Sequence, residues 1–206
     1  MNKKKRIKKV LKVAWNFFWN EDSLLSWIVF LGVIFLFIKF IFFPVLSLIF
    51  GTSLPIVIVE SCSMYHDSKF NEWWDKSSGW YTEHAIKKEE FEKFPLKNGF
   101  SKGDIFIVNG IKKEEIEVGD TIIFTSGNAK SPIIHRVVSI NPLSTKGDNN
   151  GEQFTSNNNV NKIDETFITE EQIIGKATML TIPYLGWLKL IFFEPLRTRN
   201  DRGFCD

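Results

Sequence analysis

The hydrophobic pattern contains one nearly unbroken apolar run, from Leu24 to Phe50, interrupted only by Lys39. A bilayer core about 30 Å thick needs roughly 20 apolar residues at helical rise, so this run predicts a transmembrane helix. A cleavable signal peptide would have a shorter apolar region that ends in small residues, and neither feature is present. Because Pro44 disfavours continuation of the helix, the strict span is expected to be Leu24 to Phe43.

After this run the pattern changes to short β-branched segments separated by Gly, Asp and Asn, which is typical of a mostly β domain. Two of these segments are introduced by Gly-Asp pairs, at Gly103-Asp104 and Gly119-Asp120, which we interpret as turns leading into strands. The predicted strands are Pro55–Glu60, Asp104–Asn109, Asp120–Thr125, Pro132–Ile140 and Ile173–Thr181.

Three other segments complete the outer domain. Residues 66–99 are rich in Trp, Lys and Glu, and Ile86 to Phe94 fits a short amphipathic helix, so we predict a small helical, aromatic insertion. The Asn-rich stretch 149–162 is predicted to be an exposed loop. The apolar stretch Ile182–Phe193 is short for a spanning helix and is expected to be a strand or hairpin packed on the domain.

The predicted organisation is therefore a basic amphipathic segment over residues 1–23, an anchor over 24–50, a β-rich domain over 51–194 and a tail over 195–206. By the positive-inside rule the basic N-terminus faces the cytoplasm, so that the domain lies outside a cell membrane crossed once. Lysines mixed with apolar residues over Ile7–Trp19 indicate an interfacial amphipathic helix, the alternative being a disordered basic tail. The basic residues before the anchor are Lys3, Lys4, Lys5, Arg6, Lys8, Lys9 and Lys12.

Composition excludes some classes of function. The net charge of +2 is too small to indicate a nucleic-acid partner. The only two cysteines, Cys62 and Cys205, do not form a framework spacing, so no structural disulfide is expected. We also expect neither a cofactor nor a metal ion.

Three residue types needed for nucleophilic catalysis occur in order along the chain. Ser63 follows the first predicted strand, His135 lies within a β-branched run, and Asp148 follows Gly147. Imidazole can take a proton from a serine hydroxyl near neutral pH, and a carboxylate on its far nitrogen fixes its orientation. Taken singly, each residue has a structural interpretation: a turn serine, a packed strand histidine and a turn aspartate.

Taken together, four motifs resemble those of a known family. They are Ser-Cys-Ser-Met at 61–64, His-Arg-Val at 135–137, Thr-Lys-Gly-Asp-Asn-Asn at 145–150 and Ile-Ile-Gly-Lys-Ala at 173–177. Their order after a membrane anchor is similar to the motif order in the archaeal and endoplasmic-reticulum branch of the type I signal peptidases. This branch uses Ser as its nucleophile and His as its base. The resemblance implies a single transmembrane helix followed by a β-rich catalytic domain.

The resemblance also implies roles for individual residues. The nucleophile falls on Ser63, the general base on His135 and its acid partner on Asp148. A second functional aspartate falls on Asp164, with Glu152 or Glu165 as competitors. The Ser63 backbone N–H and the Ser61 hydroxyl would form the oxyanion hole, and the substrate would lie along the first strand, at Leu54, Ile56, Val57, Ile58 and Val59.

Some residues depart from the family pattern. Cys62 replaces a glycine, and Tyr65-His66 replaces a proline, which makes His66 a second candidate base. Lys146 is the nearest rival if the chain used lysine, as the bacterial branch does, but the resemblance favours His135.

The activity implied is that of a serine endopeptidase that removes signal peptides from secreted and membrane proteins as they emerge from translocation. Its partners would be signal-peptide-bearing preproteins, membrane lipid and the protein translocation machinery. Two alternatives stay open: a catalytically inactive signal-peptidase-like subunit, and a membrane-anchored β-domain that binds lipid or protein.

Overall fold

A computed structural model describes residues 6–9, 12, 15–17, 23–198 and 202–205. The chain divides into two compact units, Met1–Ile49 and Phe50–Asp206. The predicted amphipathic helix over 7–19 lies partly outside the described residues, and those described at 6–9, 12 and 15–17 are helical.

The apolar run forms one continuous helix of 27 residues, Leu24–Phe50, long and apolar enough to cross a membrane. It consists of α1 (Leu24–Phe37), a π-helical turn (Ile38–Phe42) and α2 (Phe43–Phe50). The hydroxyl of Ser23 caps its start by accepting a hydrogen bond from the Ser26 backbone N–H at 3.1 Å. The expected stop before Pro44 is wrong. The wider π turn just before the proline shifts the backbone hydrogen bonds, so that the helix continues past a residue that has no N–H.

The second unit is built on a six-stranded antiparallel sheet, which confirms the mostly β prediction. Its strands are β1 (Ile56–Ile58), β2 (Ile105–Asn109), β3 (Thr121–Phe124), β4 (Ile133–Ile140), β5 (Leu143–Lys146) and β6 (Ile173–Ile182). The spatial order is β1-β2-β6-β3-β4-β5. All five predicted strands form. The prediction missed β5, because this strand has only four residues and three of them are polar, Ser144, Thr145 and Lys146.

The Gly-Asp pairs make turns, as predicted. Gly103 and Gly119 have positive φ angles of 93° and 96°, a conformation that glycine adopts without strain. The carboxylates of Asp104 and Asp120 accept hydrogen bonds from the backbone N–H groups of Ser101 and Glu117 at 2.9 and 3.0 Å.

The insertion at 66–99 packs as a helical, aromatic cluster, which confirms its predicted character. Its helices are α3 (Phe70–Ser77), α4 (Gly79–Glu83) and α5 (Lys88–Phe91). Their apolar side chains bury one another, at Phe70, Trp73, Trp74, Tyr81, Ile86 and Phe91. Aromatic side chains of this size supply a small core of their own because each buries a large area.

The end of the chain corrects two expectations. Ile182–Phe193 does not form a strand or hairpin beyond β6: the chain turns at Gly186, which packs tightly against Gly103, and then forms helix α6 (Trp187–Phe193). Cys62 and Cys205 form a disulfide, with their Cα atoms 5.5 Å apart. The sequence could not indicate this bridge, because 143 positions separate the two cysteines and only folding brings the C-terminus back to the turn after β1.

Candidate active site

Ser63 and His135 come together although 72 positions separate them. Ser63 lies in the turn that follows β1, and His135 lies on β4, paired across the sheet with Ile122 of β3. The His135 Nε2 atom is 2.8 Å from the Ser63 hydroxyl oxygen. The histidine is buried and the serine is half-buried, so the hydroxyl is accessible while its partner is held in place.

The other ring nitrogen of His135 is hydrogen-bonded to a carboxylate. Its Nδ1 atom bonds to Oε1 of Glu165, which is fully buried. The second oxygen of Glu165 accepts a hydrogen bond from the Phe154 backbone N–H at 2.8 Å, and Thr145 Oγ1 lies 3.3 Å from the first. These contacts fix the carboxylate, which in turn fixes the histidine ring.

Asp148 does not occupy this position, which corrects the expected pairing with His135. Its carboxylate accepts hydrogen bonds from Arg136, with Nε–Oδ1 and Nη2–Oδ2 distances of 3.0 and 2.8 Å. Tyr81 donates a third at 2.8 Å, and His66 Nε2 is 3.0 Å away. Successive strand residues point to opposite faces of a sheet, so the side chains of His135 and Arg136 lie on opposite faces of β4. Asp148 pairs with Arg136 and therefore lies on the face away from His135.

The electrostatics of this second cluster are those of a permanent ion pair. Burial alone would raise the pKa of Asp148, but the Arg136 charge and the hydrogen bonds from His66 and Arg136 hold it well below its ordinary value. Burial, together with the charge of Asp148, raises the pKa of Tyr81 well above its ordinary value. Asp148 is therefore ionised and Tyr81 is a hydrogen-bond donor.

Asp164, the expected second aspartate, is not brought to the site. Its carboxylate accepts hydrogen bonds from the backbone N–H and the hydroxyl of Thr166, at 3.0 and 2.6 Å, which stabilises a local turn. Its neighbour Glu165 faces the interior instead. Glu152, the other competitor, is exposed.

The segment after β5 holds the serine turn. The backbone N–H of Asn149 donates to the Ser63 carbonyl oxygen at 2.8 Å. Gly147 is packed so closely that an added Cβ atom would lie 2.9 Å from both His135 Nε2 and the Ser63 carbonyl oxygen. Asp148 therefore affects Ser63 indirectly. It anchors its chain neighbours Gly147 and Asn149, which contact the serine turn.

The remaining candidates have defined positions. The Ser61 hydroxyl oxygen is 3.1 Å from the Ser63 hydroxyl oxygen. Lys146 donates to the carbonyl oxygens of Gly147 and Asn150 and lies over the Tyr81 ring, and burial lowers its pKa to about 8. Its contacts are with these groups rather than with the Ser63 hydroxyl.

Strand β1 is an edge strand in the described sheet, since it pairs only with β2. Leu54, Ile56, Val57 and Ile58 are half-buried. Val59 differs, because it is 2% exposed and its N–H and C=O are bonded to Asp104 and Gly103. The backbone of Val59 is therefore already occupied, whereas β1 has a free edge to which an extended peptide could add.

A serine hydroxyl bonded to a histidine, which is bonded to a buried carboxylate, is the arrangement that serine hydrolases use for acyl transfer. The fold and site therefore define a serine-hydrolase-like site on a mostly β domain, in a chain whose described residues include one candidate membrane helix.

Comparison with known proteins gives a particular relationship. No family model matches the chain. It is 31% identical over 106 residues to the signal peptidase complex catalytic subunit SEC11 of Colletotrichum graminicola, covering 48% of this chain and 59% of that protein. The corresponding subunit of Pyricularia oryzae is 28% identical with the same coverage, and human SEC11C is 23% identical over 103 residues, 47% and 52% of the two chains.

The matched region thus spans little more than half the length of these relatives. Their names confirm the resemblance to signal peptidase catalytic subunits that the sequence motifs indicated.

Proposed function

We propose that this chain is a membrane-anchored serine endopeptidase that removes signal peptides from secreted and membrane proteins as they emerge from translocation. The observation that carries the proposal is the hydrogen-bonded series Ser63, His135 and Glu165. The names of the relatives support the substrate class. No other buried histidine of the described residues is hydrogen-bonded to a serine hydroxyl.

The geometry suits acyl-enzyme chemistry. His135 Nε2 takes the hydroxyl proton as Ser63 Oγ attacks the scissile carbonyl, and Glu165 stabilises the imidazolium that forms. The proton then passes to the leaving amine. Water, activated by the same histidine, hydrolyses the ester and restores Ser63.

Negative charge on the tetrahedral intermediate needs donors close to Ser63. We assign this role to the Ser63 backbone N–H and the Ser61 hydroxyl, which is already 3.1 Å from the nucleophile. Removal of one such donor costs about 10²- to 10³-fold in kcat.

The substrate is expected to add to the free edge of β1. A signal peptide in extended conformation would pair with the backbone of Leu54 to Ile58 and present a small side chain before the bond that Ser63 attacks. Because Val59 lies in the core, we expect it to stabilise this edge strand rather than to contact the substrate.

The location proposed is a membrane crossed once, with the N-terminus in the cytoplasm and the catalytic domain outside. Membrane lipid and the translocation machinery would then be neighbours of the site. The disulfide supports the outer location of the domain, because such bridges persist mainly in oxidising compartments.

The test is cleavage of a preprotein by the purified full-length chain in lipid vesicles, compared between wild type, Ser63→Ala and Ser63→Cys. We expect cleavage at one site after a small residue and a loss of at least about 10⁴-fold in Ser63→Ala. Equal cleavage by Ser63→Ala would disprove the nucleophile. A wild-type chain that binds the preprotein without cutting it would point to the inactive-subunit alternative.

A further inference from the structure

The C-terminal segment returns to the turn that carries Ser63. Its described residues, 194–198 and 202–205, end at Cys205, which is joined by a disulfide to Cys62, the residue before Ser63. The Phe204 ring packs on Trp187 of α6, with ring centroids 4.3 Å apart. We refer to the described residues 194–198 and 202–205 as the C-terminal strap.

A second set of contacts ties the strap to the residue just before the serine turn. Arg197 Nη1 donates to the Glu60 carbonyl oxygen at 2.8 Å, and its Nη2 atom is 3.1 Å from the Glu60 carboxylate. Lys189 of α6 binds the other carboxylate oxygen at 3.0 Å. Partial burial would raise the pKa of Glu60, but these two basic residues lower it overall, so the contacts are ionic near neutral pH.

The base of the strap is anchored in the domain. Glu194 forms an ion pair with the nearly fully buried Lys102 at 2.8 Å and accepts a hydrogen bond from the Gly203 backbone N–H at 2.8 Å. Because the strap is fixed at both ends, the Cys62 side chain cannot move independently of it.

The serine turn is also held by Met64, which is buried in the core, and by hydrogen bonds to its carbonyl oxygens. Asn149 donates from its side chain to the Cys62 carbonyl oxygen at 3.1 Å and from its backbone to the Ser63 carbonyl oxygen at 2.8 Å. Like these two hydrogen bonds, the disulfide restrains the serine turn, but it does so covalently. A displacement of about 1 Å in a reacting group can cost about 10²-fold in rate, so the second support has consequences for catalysis.

We propose that the C-terminal strap positions the nucleophile, and that Cys205, through its disulfide to Cys62, is a positioning residue for Ser63. This inference rests on the proposed peptidase function. It adds to that function a dependence on the C-terminus, which contains no residue of the Ser63, His135 and Glu165 series.

The experiment uses the full-length chain in lipid vesicles, as wild type and as Cys62→Ser, Cys205→Ser and the double variant, each with and without dithiothreitol. We expect each single variant to lower kcat about 10- to 100-fold with little change in KM. The double variant should lose no more than either single variant, since all three break the same bond. Dithiothreitol should bring wild type to that level and leave Cys205→Ser unchanged.

Hydrogen exchange of the backbone separates positioning from general stability without requiring turnover. Residues 61–64 should exchange faster after reduction, while β3 and β4 keep their protection. Faster exchange throughout the sheet would overturn the proposal and make the bridge a global stabiliser. Full activity of Cys205→Ser would also overturn it. If wild type cleaves nothing but the exchange changes are confined to residues 61–64, the peptidase function fails and the positioning of Ser63 by the strap stands.

Discussion

Two buried histidine–carboxylate pairs in the second unit look alike at first sight. His135 is bonded to Glu165, and His66 is bonded to Asp148. The difference lies at the other ring nitrogen. His135 presents Nε2 to a serine hydroxyl at 2.8 Å, whereas His66 Nδ1 has no hydrogen-bond partner among the described residues, and its ring stacks on Trp73 with centroids 3.6 Å apart.

The carboxylates differ in the same way. Asp148 is neutralised by Arg136, which is fully buried and always charged, so it has little more to gain from a protonated histidine. Glu165 has no basic side chain paired with it other than His135 among the described residues, so it can stabilise an imidazolium when one forms. We infer that the His135–Glu165 pair transfers protons during catalysis and that the His66–Asp148 pair stabilises the fold.

The largest expected effect separates the two histidines directly. His135→Ala should reduce kcat by at least about 10⁴-fold while the domain stays folded, because the proton acceptor of Ser63 is lost. His66→Ala should change kcat less than about 10-fold and lower the melting temperature instead. Steady-state cleavage of a preprotein and thermal unfolding of both variants test this. Equal losses of kcat at both positions would remove the distinction.

The carboxylates provide the next comparison. Glu165→Gln should lower kcat about 10²- to 10⁴-fold, because an amide cannot stabilise the imidazolium or enforce the tautomer that leaves Nε2 free to accept the serine proton. Glu165→Asp, which keeps the charge but is shorter, should retain part of this activity. Single-turnover rates measure the chemical step. An unchanged rate in Glu165→Gln would show that His135 is oriented by another group.

Asp148→Asn should act on stability. Removing one partner of a buried ion pair costs about 3–5 kcal/mol, and here it leaves the Arg136 guanidinium without a counter-charge. The pKa of Asp148 is depressed, so its stabilising contribution is complete above the ordinary value near pH 4 and is lost as pH falls toward the folded value. Chemical unfolding of wild type and variant from pH 3 to 7 tests both statements. A variant with wild-type stability would show that the pair is dispensable.

The smallest effect concerns Lys146. Burial lowers its pKa to about 8, so between about pH 8 and 10.5 the unfolded chain binds more protons than the folded chain, and stability should rise with pH. Lys146→Met should remove this rise, which is on the order of 3 kcal/mol. Exposed Lys130 provides the matched control, and Lys130→Met should keep the rise. A wild-type stability that falls with pH over this range would contradict the assignment.

The sequence predicted much of the fold because the patterns involved are local. The apolar run, the five β-branched strands and the aromatic insertion each follow from residues that lie close together. Strand β5 was not predicted because four mostly polar residues show no clear hydrophobic periodicity. Helix α6 was not predicted because a short apolar segment fits a helix and a strand equally well.

The site was predictable in part. The motifs identified Ser63 and His135, which the structure brings within hydrogen-bonding distance. The choice of carboxylate depends on which sheet face each side chain meets, and no motif encodes that. The motifs favoured Asp164 as the second carboxylate and left Glu165 as a competitor. The two are adjacent in the chain, and what distinguishes them is the direction in which each side chain points. The Cys62–Cys205 disulfide depends on the path of the whole chain.

The most direct test of the central claim is nuclear magnetic resonance of the chain with ¹⁵N-labelled histidine, since it contains only three histidines. A buried imidazole N–H bonded to a carboxylate gives a strongly downfield proton signal because the hydrogen bond is short and charge-assisted. We predict a signal from His135 Nδ1–H that disappears in Glu165→Gln and persists in His66→Ala. The His66 imidazole N–H that donates to Asp148 should give a second signal with the opposite behaviour. The absence of any signal that is lost in Glu165→Gln and kept in His66→Ala would contradict the account.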